Sequence, residues 1–355
     1  MKLIDTDRNS GAEIWRLSDD PRPTDNIYGE QPYASVDGSR LTLRHYADAG
    51  LDGGLSFLDL TDGSLHAVVE TTPRFPAFHG WGRHFYCQQQ VDDVLILRRW
   101  DYLSLTQEDM AELPGDKGRF SYGTVSADGR HYAVCVHNDK PAPCCVLYVD
   151  LVSGQCRELT SSAERYFKHE QFSRDGRDLV MLQANSHDVS QVGLGAVDLD
   201  GKLTWFAADA PHTPRPSGHE AWVGNRTEVF FSTRWDEERG NLWTATLGEE
   251  APTALGPSVR GGHVSVSRCG RYWLVDDGSQ GDVVLTVGCL ASGHSAHLGS
   301  TGTVHDDKQW SHAHPYLTAD NAWAVFTSNR EGWPQVYGAR LPEGLLASLG
   351  GESGI

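Results

Sequence analysis

The segment Gln309-Trp-Ser-His312-Ala-His314-Pro-Tyr places two imidazoles two residues apart, with an amide three residues ahead of the first. On an extended strand, side chains at i and i+2 share a face about 7 Å apart. His312 and His314 can therefore converge on one ion, with Gln309 adding an oxygen from the preceding loop. His263 is the natural fourth ligand, for a reason given by the repeat below. Three imidazoles and an amide oxygen make a mixed N/O set. Such a set suits a borderline or hard divalent ion such as Mn²⁺, Zn²⁺ or Fe²⁺ better than Cu(I). No thiolate contributes, which excludes a structural Cys-type zinc site. An octahedral ion held this way keeps open positions for a substrate.

What must position these residues is a repeat. A lead residue, a Ser/Thr-like position, Asp-Gly or a close substitute, and an apolar run recur in order. The copies start at Gln31, Tyr122, His169, His219, His263 and His314, with the turn residue six positions on: Asp37, Asp128, Asp175, Asn225, Cys269 and Asp320. From Tyr122 onward the leads lie 47, 50, 44 and 51 residues apart. The 91-residue gap before Tyr122 holds a degenerate copy near Phe75–Tyr86, in which Gly82 and Arg83 mimic Gly129 and Arg130. Periods of about 40–50 residues with several short strands each are the mark of a β-propeller, and Asp-Gly between apolar alternations is a hairpin signal. The expected fold is all-β: one seven-bladed propeller domain over 1–355, with blades starting near 31, 75, 122, 169, 219, 263 and 314. The last copy shows only three strand-like runs, so Glu13–Leu17 is expected to complete the seventh blade and spare two exposed edges. One short helix is expected over Tyr102–Leu113.

A propeller puts equivalent repeat positions around one axis, so four lead histidines should face one channel. Taken singly, each fits an inter-blade hydrogen bond. It is the His-x-His pair together with a third lead histidine that favours a metal. His219 (GHEAW) and His169 (KHEQF) lead the two preceding blades. An imidazole titrates near neutral pH, so either can serve as general base beside an ion. Glu170 and Glu220 follow lead histidines and should point away from the channel, in structural roles. Arg74, Lys168, Arg215 and Lys308 lie near blade starts; each can meet a carboxylate or be a solvated surface charge.

Composition narrows the partners. Thirty Lys and Arg against 48 Asp and Glu leave a net charge of −18, which disfavours nucleic acid and anionic membranes. A local metal or cation can still admit a small anionic substrate. No apolar run reaches the ~20 residues of a membrane span, and MKLIDTDRNSG has no apolar signal-peptide core. Seven cysteines, an odd number, fit reduced thiols in a cytoplasm better than a disulfide framework. The oligomeric state is not legible.

QWSHAHPYLTADN (309–321) resembles the metal motif of the bacterial oligogalacturonate lyases, Q-x-x-H-x-H-P-x-x-T-x-D-N. GHEAW, GGHVSVSRCGRYWLVDDGS and PCCVLYVDLVSGQ are similar to further segments of that family, and the likeness runs along essentially the whole chain. The resemblance implies a seven-bladed propeller that cleaves short oligouronates by β-elimination with Mn²⁺ in its central funnel. It implies His263, Gln309, His312 and His314 as metal ligands, matching the set read from the residues. It places His219 on a catalytic-site histidine and His187 near a His-Asp-Leu-Val segment. One position departs: Gly193 stands where the family has a catalytic arginine.

β-Elimination removes a weakly acidic proton at C5, α to the uronate carboxylate, and expels the C4 oxygen, leaving a 4,5-unsaturated uronate. A metal on the carboxylate stabilises the developing charge. The expected catalytic set is His219 for proton transfer, assisted by His169 or His187. Two other readings stay open. One is a different metal-dependent sugar enzyme on the same scaffold, acting on another uronate linkage or as an isomerase. The other is a non-catalytic binding platform, since the fold hosts many functions.

Overall fold

A computed structural model describes residues 1–48, 51–69, 75–138, 143–305 and 308–351. Among them, seven antiparallel sheets follow one another along the chain. Blade 1 is built from Thr24–Asp25, Arg40–His45, Gly54–Asp59 and Leu65–Val69. Blade 4 is built from Arg165–Phe172, Val180–Ser186, Val192–Val197 and Leu203–Trp205, and blade 5 begins with Pro216–Trp222. Blade 6 starts at Val264–Val266 and blade 7 at Tyr316–Leu317.

The repeat has a physical cause. The Ser/Thr hydroxyl two residues before the turn donates to the turn carboxylate, as in Ser126 to Asp128 at 2.6 Å and Thr318 to Asp320 at 2.6 Å. The same hydroxyl accepts the backbone N–H of the next strand, for example His131 N–H at 3.0 Å and Trp323 N–H at 3.1 Å. The residue after the turn Asp takes a left-handed φ, +73° at Gly129 and +59° at Asn321, which explains why Gly or Asn stands there. Cys269 replaces the carboxylate and keeps only a weak Ser267 contact at 3.3 Å.

The core is divided into seven apolar layers, each between consecutive blades. Phe231, Trp222 and Trp243 pack with Met181 and Leu194 between blades 4 and 5. Leu274 and Val287 pack with Phe326 and Tyr337 between blades 6 and 7. Burying these faces is what holds each blade against its neighbour.

The ring closes as the sequence implied. Glu13–Arg16 pairs antiparallel with Gln335–Arg340, Ile14 opposite Ala339. A further strand, Lys2–Thr6, adds outside it, which the sequence did not reveal because its residues are almost all exposed. The expected helix over Tyr102–Leu113 is wrong. Gln107–Leu113 is the outer strand of blade 2, held by pairing with Val94–Asp101. The single α-helix among the described residues is short, Leu345–Leu349.

Candidate metal centre and cavity

His263, His312 and His314 each offer a ring nitrogen, and these atoms lie within 4.8 Å of one another. His314 is fully buried, and its ring centroid is 4.4 Å from that of His263 and 5.6 Å from that of His312. The two residues of the His-x-His pair do not share an extended strand. Gln309–Ser311 is a 3₁₀ turn, His312 is extended, and His314 has φ +44°; the strand begins only at Tyr316. Convergence therefore comes from a left-handed residue, a conformation that persists only where the surroundings enforce it. Here Asn26 donates its amide N–H to the His314 carbonyl at 2.7 Å. Gly29 packs so closely that a Cβ there would lie 2.7 Å from the His314 backbone.

The donor chemistry fits a divalent ion. Asp276 accepts from Nδ1 of His263 at 2.8 Å, which leaves Nε2 to face the cluster and supplies the orienting carboxylate common behind metal-bound imidazoles. The Gln309 amide nitrogen lies 2.8 Å from Nε2 of His314, so the amide would have to turn to offer its oxygen to an ion. Nδ1 of His314 is buried with no hydrogen-bond partner among the described residues. Burial, reinforced by the neighbouring imidazoles, holds His314 well below the usual histidine pKa, and hence neutral. Burial also opposes charge on His263, but the Asp276 carboxylate outweighs it and raises that pKa. His305 stacks on His312 with centroids 4.9 Å apart. The sequence reading missed it because it lies outside the repeat position.

A cavity of about 540 Å³ opens above this cluster, within the range of small-ligand sites. Gln31, Tyr122, His169, His219 and His263, lead residues of five blades, line it together with Gln309 and His312. Two lead histidines are backed by buried carboxylates. Glu30 Oε1 lies 2.6 Å from Nδ1 of His219, and Glu220 Oε1 lies 3.1 Å from Nδ1 of His169. Glu220 is thus the orienting partner of a cavity histidine. Glu170 accepts N–H groups from Gly123 at 2.8 Å and Cys135 at 3.2 Å, and so ties adjacent blades. Burial opposes ionisation of Glu30, yet the imidazoles of His219, His263 and His169 hold its pKa below the ordinary value. Tyr28 reaches the other nitrogen of His169 at 3.3 Å and packs on His314 at 4.7 Å between centroids.

Local backbone irregularities aim these rings inward. His169 has φ +58° at a break in pairing between Lys168 and Gln171, and Gly218, just before His219, has φ +101°. Bulges of this kind redirect side chains at the rims of sheets.

Of the expected cations, Lys168 lines the cavity, joined by Arg119, which the sequence did not single out. Arg215 is not among its lining residues, Lys308 lies over the Trp310 ring at 5.0 Å, and Arg74 falls outside the described residues.

Two positions need correction. His187 is not brought to the cavity. It sits exposed in the turn after Val180–Ser186, Nε2 against the Ala163 carbonyl at 2.9 Å. Its neighbour Asp188 takes the Ser186 hydroxyl at 2.6 Å, so His-Asp here belongs to a turn. Gly193 is not at the cavity either. It lies on the third strand of blade 4, and a Cβ there would stand 3.1 Å from the Trp205 ring. A side chain at 193 points at Trp205, and not at the metal cluster.

No family model matches the chain. A curated relative, the oligogalacturonide lyase of Pectobacterium atrosepticum, is 24% identical over 229 residues. That stretch spans 57% of this chain and 57% of the relative. The chain is similar to oligogalacturonate lyases. A solved oligogalacturonate lyase in complex with manganese superposes with a TM-score of 0.76 at 17% identity, covering 97% of each chain. The oligogalacturonate lyase of Vibrio parahaemolyticus superposes with a TM-score of 0.77 at 16% identity, covering 97% of this chain and 98% of that one. The seven-bladed propeller is the architecture of these lyases, and the structural likeness spans nearly the full length.

Proposed function

We propose that the protein is a divalent-metal-dependent lyase that cleaves short uronate oligosaccharides by β-elimination. The observation that carries this reading is the cluster of His263, His312 and His314 at the floor of a cavity lined by two carboxylate-backed histidines. Gln309 completes the ligand set, and the manganese-bound neighbour makes Mn²⁺ the first ion to test. When bound, the ion would supply positive charge to a substrate carboxylate.

The chain's own residues do the rest. Lys168 and Arg119 place cationic charge at the cavity wall, while Phe75, Phe120 and Tyr122 give flat surfaces for sugar rings. Glu30 holds His219 as the Nδ1–H tautomer, so Nε2 presents its lone pair to the cavity. His219 then takes the C5 proton, and the buried Glu30 carboxylate stabilises the resulting imidazolium. The proton on His219 then passes through water to the C4 leaving oxygen, with His169, fixed by Glu220 and adjacent to the Tyr28 hydroxyl, assisting from the cavity wall.

The substrate is a small anionic oligosaccharide with a uronate at the scissile bond, oligogalacturonate being the first candidate. The chemistry required is carboxylate capture and C5 deprotonation, so another uronate linkage is the second candidate. The test is metal analysis with an assay for ultraviolet-absorbing unsaturated products on a panel of oligouronates. A metal-replete protein that forms no unsaturated product from any uronate would refute the reading.

A further inference from the structure

The repeat also builds the opposite end of the channel. The fifth residue after each lead falls just before the turn residue: Val36, Ala127, Arg174, Gly224, Arg268 and Ala319. Five residues of strand span about 16 Å, so this ring lies at the far end of the inner strands from the histidine cluster. Four of the six, Val36, Ala127, Arg174 and Arg268, line a separate cavity of about 460 Å³, and two of these are arginines.

The cavity is cationic in a protein of net charge −18. Arg83 and Arg99 also line it, but these are paired, with Asp101 at 2.5 Å and Glu108 at 2.7 Å. The one lining carboxylate, Asp128, already accepts from the Ser126 hydroxyl and the Arg130 N–H. Arg174 and Arg268 form no ion pair among the described residues. Arg174 lies half-buried with its guanidinium 4.1 Å over the Trp81 ring, which orders the plane and leaves its N–H edges open. Arg268 is anchored by a single bond to the Val36 carbonyl at 2.9 Å. Two guanidiniums facing one partly desolvated cavity repel unless an anion lies between them. Burial, then the charge of Arg268, pulls the Arg174 pKa down to about 9, which agrees with that strain.

We propose that this far mouth is a binding site for a small oxyanion, held between Arg174 and Arg268. The recognised chemistry is a compact group with two or three coplanar or tetrahedral oxygens, which guanidinium forks bind bidentately. A phosphate and the carboxylate of a uronate monosaccharide both present it. The site is separate from the metal cluster, so the proposed lyase activity stands or falls independently of it.

Thermal unfolding of the full-length protein decides the matter, with sodium phosphate and sodium galacturonate titrated against sodium chloride at equal ionic strength. The expected result is a saturable rise in melting temperature with at least one of the two anions, beyond that of chloride. The anion that acts names the source. In R174Q and R268Q the apparent affinity should fall about tenfold or more. R268Q removes an exposed side chain, so it keeps the test valid if R174Q fails to fold. No stabilisation beyond chloride by either anion overturns the proposal. So does an equal effect in the wild type and R268Q, because the anion would then bind elsewhere.

Discussion

Glu30 and His219 are 189 residues apart in the chain, yet the Glu30 carboxylate meets Nδ1 of His219 at 2.6 Å. The contact crosses the channel from blade 1 to blade 5. It fixes the tautomer of a ring whose centroid is 4.4 Å from that of His263, a proposed metal ligand. A base must be held in place before it is useful, and the Glu30 carboxylate holds His219 directly against the His263 ring.

H219A should therefore retain stoichiometric metal while turnover drops roughly 10²–10⁴-fold, the usual scale for removing a general base. E30Q should lose less, because the amide oxygen can still accept from Nδ1–H while its charge is gone. Both effects should appear mainly in kcat. Elemental analysis alongside initial rates checks this; a metal-replete H219A with wild-type turnover would transfer the base role to His169.

Metal content should depend on the cluster at the channel floor. H312A and H314A each remove one of three imidazoles within 4.8 Å, and each should lose most of the ion after dialysis. Q309A should lose less, since an amide oxygen is the weakest member of the set. Stoichiometric metal in both histidine variants would break the assignment.

The propeller and its ring of histidines were legible because a repeat converts equal spacing into equal position. His263 could be joined to His312 and His314 on that ground alone. The carboxylates behind the histidines were not legible. Glu30 belongs to an irregular stretch before the first copy, and nothing in its spacing pairs it with blade 5. Glu220 was read by strand alternation as pointing away. The backbone irregularity at His169 and the approach of blade 5 bring its carboxylate onto that ring. His187 and Gly193 failed for the opposite reason. Local sequence likeness carried them, and the turn around Asp188 and the Trp205 ring place them away from the cavity.

Gly193 yields its own prediction. A Cβ at this position would meet the Trp205 ring at 3.1 Å, so an arginine must displace an indole that covers the strand. Because the Trp205 ring is exposed and can shift, G193R should lower stability by no more than about 1 kcal/mol, and should not raise turnover on digalacturonate. A gain in rate with unchanged melting temperature would show that residue 193 reaches the substrate after all.

The last prediction concerns His45 in blade 1. Its ring is buried, Nδ1 2.9 Å from the Thr24 hydroxyl and Nε2 3.0 Å from the Ser56 hydroxyl. Burial is the largest influence and disfavours the charged form. The Asp20 carboxylate at 3.6 Å pulls the other way, Arg22 adds to the depression, and Asp25 opposes it. The net effect lowers the pKa from 6.5 to about 4. The unfolded chain therefore binds a proton at higher pH than the folded one does. Stability from this group is complete above pH 6.5, falls as the pH drops from 6.5 toward 4, and changes no further below that. The shift corresponds to a loss on the order of 3 kcal/mol across the window. H45Q keeps a hydrogen-bonding group and cannot titrate. Its stability at neutral pH should be somewhat lower, and its slope against pH between 4 and 6.5 shallower than wild type by up to one proton. Urea melts at several pH values give both slopes, and parallel curves for the two proteins would show that His45 does not titrate as described.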